Sequence, residues 1–154
     1  MWPGALRRSS RRNGAIAVLV DTGPLYAEAD GDDEHHAACR ETLAAASGSL
    51  VVPDLVVAEA AYMIATRLGA KAEVRLLGAL AGGELIVEHV TAADWVRIAE
   101  LVARYRDLPL GTVDASVVAL AERLAISTLI TLDRRHFGVV RPAHIDAFTL
   151  LPEL

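Results

Sequence analysis

Short runs of unbroken apolar residues alternate along this chain with longer stretches in which apolar positions recur every three or four residues. Residues 15–20 (Ala-Ile-Ala-Val-Leu-Val), 50–52, 85–90, 127–131 and 147–151 are rich in β-branched residues or leucine and read as strands. Helical periodicity covers residues 23–30, 33–47, 54–68, 70–81, 92–106 and 112–125. Start and stop residues frame several of these segments. Asp54 follows Pro53, Thr91 stands three residues before Asp94, Thr112 follows Gly111, and Gly48 and Gly69 close the helices that precede them. Strands without a polar face must be covered on both sides, and helices between strands make parallel crossovers. The expected fold is α/β, a three-layer α/β/α sandwich with a mainly parallel sheet of about five strands.

Composition narrows the setting. A length of 154 residues suits one domain, and 53% hydrophobic residues with only 6 Pro and 11 Gly exclude a disordered chain. Aromatic residues supply only 5%, so much of the apolar content is alanine, which suits closely packed helices. The single Cys39, in Ala37-Ala38-Cys39, cannot form an internal disulfide and reads as a small buried residue. No stretch approaches the roughly 18 uncharged apolar residues of a membrane span, and the run at 15–20 is too short for a secretory core. The expectation is a cytoplasmic protein that does not use a membrane.

Charge is unevenly distributed. The whole chain carries 15 basic and 20 acidic residues, but Arg7, Arg8, Arg11 and Arg12 sit in a segment, 1–14, that holds no acid. From residue 15 onward the net charge is therefore -9. The expected division is a flexible basic arm over 1–14 and a single domain over 15–154. Asp30, Asp32, Asp33 and Glu34, around Gly31, read as a solvated turn and helix start rather than a metal loop. His35, His36, His136 and His144 are read as surface residues, because none has the spacing of a zinc site.

Four acids sit where solubility does not explain them. Asp21 ends the first strand, Glu59 lies within Leu55-Val56-Val57-Ala58-Glu59-Ala60-Ala61, Asp114 opens an alanine-rich helix, and Asp133 follows Leu129-Ile130-Thr131-Leu132. An ionised carboxylate in such company costs several kcal/mol unless a partner or a cation neutralises it. Strand ends in a parallel sheet share one edge, and helices that follow strands open there, so the four can converge. Lys71 is the only lysine, too scarce to balance them. Convergent carboxylates without cations imply a hard divalent ion, Mg2+ or Mn2+ rather than Zn2+.

These residues resemble a known family. Asp21-Thr22-Gly23-Pro24-Leu25 after a strand, Glu59 in a helix, Gly111-Thr112-Val113-Asp114-Ala115-Ser116, and Thr131-Leu132-Asp133-Arg134-Arg135-His136-Phe137 look like the four acidic motifs of PIN-domain nucleases. More narrowly, the chain resembles the VapC toxins of bacterial type II toxin-antitoxin pairs from about Ala15 to the C-terminus. Gly23 departs from the serine that many members carry there.

The resemblance implies a Mg2+-dependent endoribonuclease toxin that cleaves structured RNA such as tRNA or rRNA, a homodimer inhibited by a cognate antitoxin. It also implies Asp21, Glu59, Asp114 and Asp133 as the acidic, metal-holding quartet. Metal-assisted hydrolysis does not use the 2'-hydroxyl, so products carry a 5'-phosphate and a 3'-hydroxyl, and DNA stays open as an alternative substrate. A PIN-like module that only binds protein is the alternative from another class. Thr22, Arg134 and Arg135 are candidate RNA contacts, with Arg104, Arg106 and Arg141 as further phosphate-facing positions. Phosphatases of the D-x-D-x-T type are excluded by Gly23, and receiver domains by the position of Lys71.

Overall fold

The computed structural model describes Trp2 and residues 16–154, so the expected basic arm, Trp2 apart, lies outside the described residues. Five strands, β1 (Ala17–Val20), β2 (Ser49–Pro53), β3 (Leu85–Glu88), β4 (Thr128–Ile130) and β5 (Thr149–Leu151), form one sheet in the order β3-β2-β1-β4-β5. Every pairing is parallel, with Val18 beside Leu50 and Leu19 beside Leu129. Seven helices connect them: α1 (Thr22–Ala29), α2 (His36–Ala45), α3 (Asp54–Leu68), α4 (Ala70–Ala81), α5 (Ala92–Arg104), α6 (Thr112–Leu124) and α7 (Arg134–Phe137).

The order of strands decides where the helices go. The chain steps outward from β1 to β3, then returns past β1 to β4 and β5. Right-handed crossovers therefore put α1 to α4 on one face and α5 to α7 on the other. Packing agrees with this: α1 lies on α2 and α3, α3 lies on α4, and α5 lies on α6. Leu19, Val20, Leu129 and Ile130 fill the centre with no exposed surface. Ala115 to Ala121 of α6 are buried without interruption, so small side chains there let the helix lie close to the sheet. Cys39 is fully buried, and burial first, then the charge of Asp33, pushes its thiol up to about 11.

Helices α3 and α4 keep the expected limits, and most other elements are a few residues shorter at their ends. The expected helix 33–47 begins only at His36, because Asp30 Oδ1 accepts from Asp32 N (3.1 Å) and Asp33 Oδ1 from His35 N (2.8 Å), which closes a turn instead. At α5 the expected start is a full capping box: Thr91 Oγ1 accepts from Asp94 N at 3.2 Å, and Asp94 Oδ2 accepts from Thr91 N at 2.9 Å. Among the described residues, no helix is long and apolar enough to cross a membrane. Strand order reverses between β1 and β4, and in such sheets ligands bind outside the carboxyl ends at that point.

Candidate metal centre

Asp21 is the first residue past β1. Its amide donates to the Ile130 carbonyl (3.0 Å), which fixes the backbone between the two strands at the switch point. The buried Thr131 hydroxyl donates to Asp21 Oδ2 at 2.8 Å and accepts from the Asp133 amide at 3.0 Å, so one threonine joins the two strand-end acids. Next along the chain, Thr22 Oγ1 donates to Glu59 Oε2 at 2.6 Å and draws the glutamate on α3 toward β1. Asp114 lies in the first turn of α6.

Asp133 caps α7, accepting from the His136 amide at 3.0 Å through Oδ1. Its Oδ2 lies 2.5 Å from His136 Nδ1, which is also 3.5 Å from Asp114 Oδ2. The other ring nitrogen, Nε2, donates to the Leu108 carbonyl at 2.9 Å. One ligand atom each from Asp114, Asp133 and His136 fall within 4.8 Å of one another.

Electrostatics tie the four acids together. Burial pushes the Asp21 carboxyl up to about 6, opposed by hydrogen bonds from Thr131 and the Thr22 amide and reinforced by the charges of Asp114 and Asp133. Asp114 is raised by burial and then by Asp133 and Glu59, with His136 opposing. For His136, burial alone would lower the value, but the Asp133 hydrogen bond and the charges of Asp133 and Asp114 raise it overall. Among the described residues, no arginine or lysine forms an ion pair with any of the four carboxylates. Carboxylates that repel one another fit a hard divalent cation, with the His136 nitrogen the one non-oxygen atom in the group of three.

The four predicted acids are thus brought to one edge from four elements, as expected. Thr22 is buried beside them, with its hydroxyl committed to Glu59. Arg134 is turned away in part, since Nη2 donates to the Pro152 carbonyl, while Arg135 is exposed.

The surface reading of His136 is corrected: its side chain is only 17% exposed and sits among the acids. The signal was present, because a residue three places after an N-cap acid faces that acid in the first helical turn. Thr131 was quoted as motif but not as a site residue, although a hydroxyl two residues before Asp133 is placed to accept its amide. His144 is also half-buried, bonded through Nε2 to the Ile126 carbonyl at 2.8 Å, and His36 Nδ1 donates to Ala27 O at 2.9 Å.

A parallel α/β domain with a self-repelling carboxylate cluster at its switch point is the architecture of a metal-binding hydrolytic fold. Residues 18–141 match the PIN domain, and the chain belongs to the PIN-domain family, within its VapC group. It is 40% identical over 135 residues to Ribonuclease VapC26 of Mycobacterium tuberculosis, an alignment covering 88% of this chain and 100% of that protein.

Among solved structures, the fold resembles Mycobacterium tuberculosis VapC20, a Sarcin-Ricin loop cleaving toxin. That match has a TM-score of 0.75 and 21% identity, over 83% of this chain and 98% of that one. It also resembles VapBC2 from Rickettsia felis, solved bound to a promoter DNA fragment, with a TM-score of 0.65 and 14% identity over 89% and 100% of the two chains. At those identities the likeness concerns the fold.

Proposed function

We propose that this chain is a Mg2+-dependent endoribonuclease toxin that cleaves structured RNA, of tRNA or rRNA type. It acts as a cytoplasmic homodimer held in check by a cognate antitoxin. The convergence of Asp21, Glu59, Asp114 and Asp133, with His136 the one basic side chain paired to them among the described residues, carries the reading. Its context is 40% identity to a ribonuclease over most of the chain.

In this reading Asp21 and Asp114 hold the ion, with Glu59 and Asp133 completing the acidic wall. Bound Mg2+, or Mn2+ in its place, supplies Lewis acidity toward the scissile phosphate and lowers the pKa of a water. Thr131 orients Asp21, and His136 fixes the Asp133 carboxylate while anchoring it to the 105–111 loop through Leu108. Thr22 sets the reach of Glu59. Arg135 and the remaining N–H groups of Arg134 meet substrate phosphate.

Purified protein free of its inhibitor is expected to cut a structured RNA in Mg2+, leaving a 5'-phosphate, and to stop on adding EDTA. Undiminished cleavage in EDTA, or by Asp21→Asn protein, would sink this reading.

A further inference from the structure

We propose that the ring of Tyr62 on α3 is a stacking platform for a nucleobase of the RNA substrate, next to the scissile phosphate. This inference rests on the ribonuclease reading above. Tyr62 follows Glu59 by three residues on α3, so the two share a face, with Cβ atoms about 5–6 Å apart. Side chains on a helix lean toward its N-terminus, so Tyr62 covers the turn that holds Glu59. Thr22 Oγ1 in turn ties that glutamate to the acidic edge at 2.6 Å. The tyrosine is 71% exposed. Among the described residues, its hydroxyl has no hydrogen bond and its ring no aromatic or guanidinium contact. Its neighbours one turn away leave the ring open: Ala58 and Ala65 are small, and Thr66 turns its hydroxyl back to the Tyr62 carbonyl at 2.7 Å.

The other aromatic rings are used differently. Phe137 and Phe148 pack edge to face with centroids 6.2 Å apart, and Trp2 is buried among core residues. Tyr26 lies under Arg67 and Tyr105 under Arg104, with each Cζ 5.4 and 5.5 Å from the ring centre. Trp95 is half exposed, but it stands on α5, whose Asp94 and Arg97 are engaged in ion pairs with α6. Among the described residues, Tyr62 alone joins a bare ring to a residue of the metal centre. Charge decides which side of a nucleotide faces it. Glu59 is negative and pairs with no arginine or lysine among the described residues, so it repels a backbone phosphate but not an uncharged base. A phosphate held at the metal brings the base of the adjoining nucleotide within reach of a ring one turn away. Every base has a π face, so such a stack holds the strand without fixing its sequence.

The experiment is a double-mutant cycle on binding. A labelled RNA hairpin with an adenine-rich loop is bound to the full chain with Ca2+, another hard cation that takes carboxylate oxygens, in place of Mg2+. Tyr62→Ala is expected to weaken binding about tenfold, the scale of one lost stack, and Tyr62→Phe to bind like the parent. Single loop bases are then removed, leaving ribose and phosphate in place. At one position the removal should reproduce the loss in the parent and cost nothing further in Tyr62→Ala. No charge is lost, so the slope of log K against log salt should be the same in all three proteins.

A Tyr62→Ala protein that binds as tightly as the parent overturns the platform, and so does a parent that does not bind the hairpin. If that variant also passes from dimer to monomer on a sizing column, the ring belongs to a contact between copies of this chain. An equal loss in Tyr62→Phe overturns the stack too, since the hydroxyl is then what binds. Losses that simply add at every abasic position separate the ring from any base and have the same force. Cleavage of structured RNA by the parent in Mg2+, and its arrest by EDTA, is read separately and bears only on the ribonuclease reading.

Discussion

Asp21 and Asp94 both expose little surface, 5% and 4%, but Asp21 is enclosed far more deeply, and their acidities move in opposite directions. Burial raises Asp21 to about 6, and its helpers are a threonine hydroxyl and an amide. Burial also acts to raise Asp94, but the Thr91 amide and the Arg123 guanidinium, whose Nε lies 3.1 and 3.0 Å from the two oxygens, bring it below the usual range. Glu122 repeats the second pattern. Burial is outweighed there by Arg97, which donates from Nε at 2.7 Å and Nη2 at 3.0 Å, and by the Ala143 amide at 2.8 Å. Little exposed surface alone therefore does not mark a functional acid; depth of burial and the kind of partner do. Structural carboxylates between α5 and α6 are matched to arginines, whereas those at the switch point meet hydroxyls, one histidine and one another.

The strongest test of this contrast is to neutralise one acid in the switch-point cluster. Asp114→Asn should lower RNA cleavage about 1000-fold, because roughly 4 kcal/mol of metal-assisted stabilisation is lost. Its thermal unfolding temperature without metal should hold or rise, since a repulsion is relieved. Next, Mg2+ at about 100 times its Kd should stabilise the parent by about 2.7 kcal/mol, or about 5–10 °C in a melting scan. The same addition should leave Asp114→Asn nearly unmoved.

On the other side of the comparison, Arg123→Ala strips the guanidinium from Asp94 and should cost about 2 kcal/mol in urea unfolding. That is less than for a fully buried pair, because the arginine is 30% exposed. Mg2+ stabilisation should survive this change, and its loss would show that the two acidic regions are not independent.

The smallest effect is in pH. A carboxyl whose folded value lies above its unfolded one contributes stability at low pH that is lost as pH rises through the folded value. Metal-free protein should therefore lose stability from Asp21 between about pH 4 and pH 7, a window set by the shift from 3.8 to about 6, with about 1 kcal/mol of the loss falling above pH 5. Asp114 and His136 are raised as well and act with the same sign. Asp21→Asn should flatten the slope, and a parent whose stability rises over this range would refute the assignment.

The sheet was legible because each strand is apolar on both faces, and the helices because their caps and glycines are local signals. Thr91 and Asp94 announce α5 within four residues. The quartet was legible for a different reason: a charge inside an apolar run conflicts with its neighbours, and conflicts of that kind collect at functional sites. Helix α7 was missed because four residues are too few to show a period.

His136 was misread because its importance comes from contacts that sequence spacing does not fully display. Asp133 is three residues away, but Leu108 and Asp114 lie on the α5–α6 loop and α6, and only the fold closes them around one ring. The Arg134 contact was hidden from the sequence for the same reason. Its carbonyl partner at Pro152 is distant in sequence and local only once β5 pairs with β4.

That pairing also bears on how the protein is made. The Thr131 amide donates to the Leu151 carbonyl at 2.8 Å, and the Thr131 hydroxyl is what holds Asp21 and Asp133 together. Asp21 leaves the ribosome early, but the strand that braces its partner is translated some 130 residues later. A nascent chain therefore carries Asp21 and Glu59 for most of synthesis, gains Asp114 and Asp133 only in its last third, and pairs β5 with β4 last of all. Order of translation thus leaves the bracing of the acidic centre to the last strand, which is made after all four acids.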